Sequence, residues 1–273
     1  MNRIIYSDNG VLKDISTELY RKDSKSFQFT YATDDFIYIG ARLPFNQVYV
    51  LLSQASEADV STKIEYYDGN QWREVVDLID STIGFKQSGH IEFTPDAMYN
   101  WGIEDTNYNG ERIEGLGDVT IYDRYWLRIS FDGALDQATL SMLGHKFSTD
   151  ADLELEYPDL LRTNVLTAFK TGKTDWEDQH LKAAEILCKD LIDIGVIDLK
   201  EQILNWRDYT NAAICKVAEI AFNSFGEAYI EQSKMARQEY QDRLNKRIHI
   251  VDRNKNGRED VEERHTVTGF MKR

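Results

Sequence analysis

The sequence predicts an α+β multidomain protein, an N-terminal antiparallel β-sandwich followed by an all-α helical bundle with a long C-terminal helix. Two observations lead to this fold class. Apolar residues alternate with a period of two in short segments up to about residue 157, and after Pro158 they recur at helical spacing. The length of 273 residues, 42% of them hydrophobic, suffices for more than one core. The predicted divisions are a jelly-roll or Ig-like sandwich at 1–157, a helical domain at 158–250, and a loop and tail at 251–273.

The N-terminal strands are marked by alternation and by aromatic and β-branched residues. Segments of this kind lie at 27–31, 36–39, 47–51, 63–67, 71–75, 90–93 and 125–131. Asp68, Gly69 and Asn70 form a turn signal, which predicts a hairpin between the fourth and fifth of these segments. The stretch from about 100 to 118 is rich in Gly, Asn and Asp, so we expect a long exposed loop there.

Three helical patterns follow Pro158. The first runs through Leu160 and Phe169 and ends near Gly172. Thr174 and Glu177 have the spacing of a capping box, which predicts the start of the second helix. The third begins around Asp208 and continues toward residue 244, because no later proline interrupts it.

Charge and composition exclude several classes of function. A net charge of -15 argues against a nucleic-acid-binding surface, which needs clustered positive charge. No stretch approaches the roughly 20 apolar residues of a membrane span. Cys188 and Cys215 lie among apolar residues in helical segments, so we expect buried free thiols made in a reducing cytoplasm. The five histidines have no helical ligand spacing, and no nucleophile or phosphate-loop motif is present, so no enzyme is predicted.

The segment from 252 to 263 matches the twelve-residue calcium-loop pattern. Its oxygen-bearing positions are Asp252, Asn254, Asn256, Arg258 through its carbonyl, Asp260 and Glu263, with Gly257 at the sharp turn. Two features depart from the pattern, since the eighth position is Glu259 rather than an aliphatic residue and no second loop is present to pair with it. Two interpretations stay open, a weak structural calcium site and a solvated turn that ends a helix. No cofactor other than calcium is predicted.

Aromatic residues raise one further binding hypothesis. Trp101 adjoins the predicted long loop and is the expected exposed ring, which could stack on a sugar. Aromatic residues in strands usually belong to a core, so this glycan site is the alternative interpretation.

The order of elements in the C-terminal part resembles the tailed-phage head-to-tail connectors, or adaptors. The features are a helix at 178–191, an apolar helix at 212–225, a charged extension at 235–244, the run 248–257 and a basic-ended tail. The segments around Tyr66, Trp72, Phe85 and Trp126 resemble a β-sandwich found in phage structural proteins. A sandwich of this size departs from the minimal adaptor, which is essentially helical.

The resemblance implies a homo-oligomeric, dodecameric ring in the virion neck, assembled in the host cytoplasm. Such a ring docks on the portal protein, meets a downstream neck or tail protein, and lets DNA pass through its lumen without sequence-specific binding and without a membrane. The alternative is a tail or baseplate-associated protein whose sandwich binds host glycan. The portal-binding role would fall to the tail, which comprises Arg264, His265, Thr266, Val267, Thr268, Gly269, Phe270, Met271, Lys272 and Arg273.

Overall fold

The structure is a computed structural model that describes residues 3–19, 25–103, 113–116, 124–245, 249–260 and 263. The fold is α+β, as predicted, with strands between residues 3 and 144 and helices between 150 and 245. The chain forms two compact units. The first unit comprises Met1–Gly144 and Asp252–Asp260, and the second comprises His145–Val251 and Val261–Arg273.

Two antiparallel sheets make up most of the first unit. The first sheet has the strand order β2-β1-β4-β10-β6-β7 and the second has the order β3-β11-β5-β9-β8. The strands are β1 Arg3–Asp8, β2 Val11–Asp14, β3 Phe27–Tyr31, β4 Phe36–Ala41, β5 Gln47–Gln54, β6 Thr62–Tyr67, β7 Trp72–Glu74, β8 Val76–Asp80, β9 Gly89–Thr94, β10 Tyr125–Phe131 and β11 Leu135–Gly144.

Both sheets contribute to one apolar core. Ile37 and Ile129 from the first sheet and Val50 and Leu140 from the second are all buried in the same cluster. Burial alternates in β3, which buries every second residue, whereas β4 and β5 are buried along most of their length. Strand β11 is not among the predicted strands, because its Asp, Ala and Ser residues have low strand propensity.

The hairpin between β6 and β7 confirms the turn predicted at Asp68. The Asp68 carboxylate accepts hydrogen bonds from the backbone N–H groups of Asn70 at 2.8 Å and Gln71 at 2.9 Å. Gly69 has a φ of 98°, which glycine adopts without steric cost. An aspartate followed by glycine therefore closes this turn with local interactions alone.

The predicted exposed loop at 100–118 is partly wrong. Residues 104–112 and 117–118 lie outside the described residues, but Ile113 and Leu116 are buried in a cluster with Trp72 and Trp126. The indole N–H of Trp72 donates to the carbonyl oxygen of Glu114 at 3.0 Å. Two apolar residues within a polar stretch are too few to produce a periodic signal, so the packing was not predictable from pattern.

The helices of the second unit begin before the predicted boundary at residue 157. Helix α1 spans Asp150–Glu156, and Thr149 and Asp152 form a capping box at its start. Acidic and apolar residues alternate in its sequence, as they do in many strands, and Leu153 is its one buried residue. The sequence pattern therefore did not indicate a helix. The remaining helices are α2 Thr163–Phe169, α3 Glu177–Asp193, α4 Thr210–Ser224 and α5 Ile230–Asn245.

The capping box predicted for α3 is wrong. The Thr174 hydroxyl donates to Asp175 at 3.2 Å, and Glu177 forms an ion pair with Lys146. The first backbone N–H groups are satisfied by other carboxylates, since Asp175 accepts from Glu177 at 3.0 Å and Asp150 accepts from Trp176 at 3.2 Å. A cap supplied from another segment leaves no local sequence signature.

The prediction of one long C-terminal helix is also wrong, because the helix is interrupted at Gly226. Gly226 has a φ of 78°, and it separates α4 from α5. The two helices then pack side by side in antiparallel directions, as four pairs of contacting residues show: Asn223 with Ser233, Glu219 with Arg237, Lys216 with Tyr240, and Asn211 with Arg243. Glycine in a left-handed conformation ends a helix without proline.

The two cysteines confirm the thiol prediction, since Cys188 and Cys215 are free and buried. Among the helices that the structure describes, none combines the length and the apolar character needed to cross a bilayer.

Candidate functional site

The predicted calcium loop is an ordered turn centred on Asp252. The Asp252 side chain is fully buried, and its carboxylate accepts hydrogen bonds from the backbone N–H groups of Asn256 at 3.1 Å and Gly257 at 2.7 Å. The side-chain oxygen of Asn256 accepts from the backbone N–H of Arg258 at 2.8 Å. Lys255 and Gly257 both have positive φ, which winds the backbone tightly around the first carboxylate.

Side chains at the third, fifth and ninth positions of the loop converge. The side-chain nitrogens of Asn254 and Asn256 both donate to Oδ2 of Asp260, at 2.5 Å and 2.8 Å. The amide oxygens accept other hydrogen bonds, since Oδ1 of Asn254 accepts from the backbone N–H of Asn256 at 3.2 Å and Oδ1 of Asn256 accepts from that of Arg258 at 2.8 Å. Four of the six predicted ligand residues thus lie in one ordered loop, and their carboxylate and amide groups are of the types that calcium prefers.

Other features of the loop differ from a helix–loop–helix calcium site. Helix α5 ends at Asn245, and the residue before the loop, Val251, forms an isolated β-bridge with Ile203. Glu259, at the eighth position, is exposed. The twelfth-position Glu263 is buried and belongs to the second compact unit, while residues 261–262 lie outside the described residues.

The loop packs on the first unit. The Arg258 guanidinium donates to the carbonyl oxygen of Asp96 at 3.1 Å. A Cβ atom on Gly257 would lie 2.9 Å from Cβ of Pro44. A stretch that follows the helical unit in sequence therefore belongs to the β unit in structure, which the predicted division at 251–273 did not anticipate.

Trp101 is not the exposed ring that the sequence predicted. It is 7% exposed and stacks on Tyr66 with ring centroids 5.3 Å apart, and Phe45 lies at the same centroid distance. The expectation is wrong because three aromatic side chains, distant in sequence, meet in the core of the β unit. The predicted portal-binding residues 264–273 lie outside the described residues.

Helices α1 and α3 bring together a serine, a histidine and an aspartate that spacing could not reveal. His180 Nδ1 lies 2.7 Å from the Ser148 hydroxyl, and Nε2 lies 3.1 Å from Asp150 Oδ1. Ser148 and His180 are fully buried, so no substrate reaches the hydroxyl in this conformation. The arrangement therefore links the start of α1 to α3 rather than forming an open catalytic site.

A second cluster joins α1, α4 and α5. Ligand-type atoms of Glu156, Cys215 and Glu239 lie within 4.8 Å of one another. Each is already engaged, since Arg243 pairs with Glu156 at 2.7 Å and the Tyr157 hydroxyl donates to Glu239 at 2.8 Å. Burial raises the pKa of the Cys215 thiol to about 11, so the sulfur stays protonated at neutral pH. The cluster is a hydrogen-bonded contact between helices.

The comparisons with known proteins add no relatives, because no protein family model and no curated protein sequence matches the chain.

Proposed function

We propose that the chain is a structural subunit of a phage-like particle, a ring-forming head-to-tail adaptor in the virion neck. The observation that carries the proposal is the order of C-terminal elements: the apolar helix α4, the polar helix α5, the loop at 252–260 and the basic tail at 264–273. This order resembles the connector family. In this role the protein acts through its interfaces and performs no catalytic step.

In this proposal each of the two compact units has its own role. The shared core of the two sheets supports a β-sandwich, which would decorate the outside of the neck. The antiparallel pair α4 and α5, packed with α1 and α3, supports a helical bundle that would form the ring. A net charge of -15 suits a channel wall along which DNA slides, because like charges repel the phosphates.

Docking on the portal would fall to residues 264–273. This segment contains Arg264, Lys272 and Arg273 and no acidic residue, in a chain that is otherwise strongly acidic. A short segment of this composition has no core of its own and gains order on binding a partner.

The adaptor proposal is tested by imaging and mass measurement of the full chain, alone and with the portal ring encoded in the same genome. We expect a ring on the portal, and we expect a variant lacking residues 264–273 to lose that association. Absence of any association between the full chain and the portal would reject the proposal.

We also propose that residues 252–260 bind calcium as a structural ion. Two observations support this role: the side-chain amides of Asn254 and Asn256 meet the Asp260 carboxylate, and the Asp252 carboxylate anchors the backbone of the same turn. A single loop without a partner loop favours weak binding, with a dissociation constant on the order of 0.1–1 mM. The ion would supply charge neutralisation between the two carboxylates, and the residues would hold the loop closed on the β unit.

Calorimetric titration with calcium tests this site. We expect heat for the wild type and for the control Asp34→Ala, which removes an exposed carboxylate in another turn of the same unit. We expect none for Asp252→Ala or for the milder Asp260→Asn. Identical traces for all four proteins would leave the loop as a turn only.

The glycan-binding alternative has lost its candidate residue, since the ring of Trp101 is buried.

A further inference from the structure

Three arginines lie at the same end of the first sheet. Arg3 begins β1, Arg42 directly follows β4, and Arg124 directly precedes β10. These three strands are neighbours in the sheet, in the order β1-β4-β10. Ala41 pairs with Tyr125, so Arg42 and Arg124 are the next residues on two facing strands. We call Arg3, Arg42 and Arg124 the arginine cluster.

The side chains of the arginine cluster belong to the outer face of this sheet. The residues next to them along the chain, Ile4, Ala41 and Tyr125, pack in the core that both sheets share. Successive side chains of a strand point to opposite faces, so the three arginines point away from that core. Facing side chains are about 5 Å apart at Cβ and diagonal ones about 7–8 Å, which long side chains can bridge. The three guanidinium groups can therefore converge on one ligand.

The arginine cluster carries more positive charge than its neighbours neutralise. Arg3 forms an ion pair with Asp14, with an Nη2–Oδ2 distance of 3.2 Å. In the part of the chain that the structure describes, no carboxylate pairs with Arg42 or Arg124, although the protein has 47 acidic residues. The Nε atoms of Arg3 and Arg124 are buried and have no hydrogen-bond acceptor. Three cations and one carboxylate leave two positive charges.

This excess of charge and of N–H donors is suited to an oxyanion. Guanidinium groups bind carboxylate and phosphate oxygens through paired N–H donors, and turning outward would give the buried N–H groups acceptors. Like charges on facing strands repel, and an anion between them replaces that repulsion by attraction. Two positive charges match a phosphate group, which carries nearly two negative charges at pH 7. We infer that the arginine cluster binds the phosphate group of a small ligand.

A small ligand suits this chain better than a nucleic acid, because the net charge of -15 repels a long polyanion. The arginine cluster belongs to the β unit and includes neither the loop at 252–260 nor the tail at 264–273. The inference therefore stands or falls independently of portal binding and of calcium.

Calorimetric titration of the full chain with inorganic phosphate, at neutral pH and constant ionic strength, tests the inference. Arg42→Gln and Arg124→Gln are each expected to raise the dissociation constant about tenfold, because each removes a charge-assisted pair of donors. Asp14→Asn is expected to lower it about threefold, because it removes the carboxylate that competes with phosphate for Arg3. A parallel titration with a nucleoside monophosphate distinguishes an organic phosphate, which would bind more tightly, from free phosphate, and either result supports the inference.

Arg237→Gln is the matched control, since it makes the same charge change at a 66% exposed side chain on α5 and should bind phosphate like the wild type. Arg42 is exposed, so its replacement should leave the fold intact, and thermal unfolding of each variant checks this. A wild type that shows no binding at about 10 mM phosphate would overturn the inference. So would equal affinity in the wild type and Arg42→Gln, or weaker binding by Asp14→Asn.

Two competing ligands complete the test. Acetate that binds as tightly as phosphate would assign the arginine cluster to carboxylates and overturn the inference. A single-stranded DNA oligonucleotide that binds more tightly than phosphate, with an affinity that falls steeply with salt, would assign it to nucleic acid and overturn the inference as well.

Discussion

Gly257 is required by both its backbone conformation and its neighbours. Its φ is 76°, in the left-handed region, and a Cβ atom there would lie 2.9 Å from Pro44 and 3.3 Å from the backbone nitrogen of Phe45. Gly10, in the turn between β1 and β2 of the same unit, has a φ of 82° but nothing within 4 Å of its Cβ position. Both positions have a positive φ, but only Gly257 is crowded. Substitutions at the two positions therefore separate the cost of backbone strain from the cost of steric overlap.

We expect Gly257→Ala to lower the free energy of unfolding of the β unit by about 2–4 kcal/mol, since strain and overlap add. Gly10→Ala should cost about 1 kcal/mol, from strain alone. Urea denaturation followed by tryptophan fluorescence measures both. Equal losses would mean that the loop does not pack on Pro44.

The stability contributed by the hydrogen-bond network around Asp150 depends on pH, because the Asp150 carboxyl group ionises. Burial raises the pKa of its carboxyl group, but hydrogen bonds from His180 and from the backbone N–H of Trp176 outweigh burial and hold the pKa below its usual value. A carboxyl group whose pKa is lower in the folded state contributes stability above its unfolded pKa of about 3.9. That contribution is lost as the pH falls through the folded pKa.

We therefore expect Asp150→Asn to destabilise the helical unit by about 1–3 kcal/mol at pH 7. The difference from the wild type should shrink as the pH falls below about 4, because the wild-type carboxylate is then protonated as well. Denaturation at several pH values measures it. Asp159→Asn, at a largely exposed position, should change stability by less than about 0.5 kcal/mol. A gap that stays constant with pH would contradict this account.

Helix α5 presents a narrow buried face on a polar sequence. Ser233, Ala236, Tyr240 and Leu244 are buried, at spacings of three and four residues that place them on one side. Met235 is 64% exposed, whereas the adjacent Ala236 is 1% exposed. Ala236 belongs to the same buried cluster as Val217, Ala218 and Ala221 of α4, where a small side chain permits close approach of the two helices.

The stability of the protein should therefore depend strongly on which of two neighbouring positions of α5 receives a leucine. We expect Ala236→Leu to cost about 1–3 kcal/mol by overpacking. Met235→Leu should alter the free energy of unfolding by less than about 0.5 kcal/mol. Thermal unfolding followed by circular dichroism distinguishes them, and the reverse ranking would mean that α5 is rotated about its axis.

The β unit is built from two stretches of chain that are far apart in sequence. It leaves the β unit after Gly144, forms the helical unit, and returns to the β unit at Asp252. The returning segment is held there by the hydrogen bond from Arg258 to Asp96 and by the contact of Gly257 with Pro44. Residues 252–260 therefore contribute to the stability of a unit from which they are distant in sequence.

Two truncations separate this structural role from the proposed docking role of the tail. Removal of residues 252–273 should destabilise the β unit by about 2 kcal/mol or more, through lost packing and hydrogen bonds. Removal of residues 264–273 alone should leave its denaturation midpoint unchanged. Urea denaturation of both proteins gives the comparison, and equal stability would show that the returning segment adds nothing.

Local spacing in the sequence sufficed for features formed within a few residues. It predicted the hairpin at Asp68, the strands around 27–31 and 125–131, the buried thiols, and a turn that begins at Asp252. These features depend on backbone turns and on side-chain alternation, which neighbouring residues control directly. The calcium site itself stays a prediction.

Contacts between distant segments carried no local signal. Trp101 is buried because Tyr66 and Phe45 surround it, the start of α3 is capped from Asp150, and residues 252–260 pack against Pro44. Gly226 ends α4 because its left-handed conformation lets α5 turn back onto α4. In each case the free energy comes from packing and hydrogen bonds between segments, so it depends on three-dimensional proximity that residue spacing does not encode.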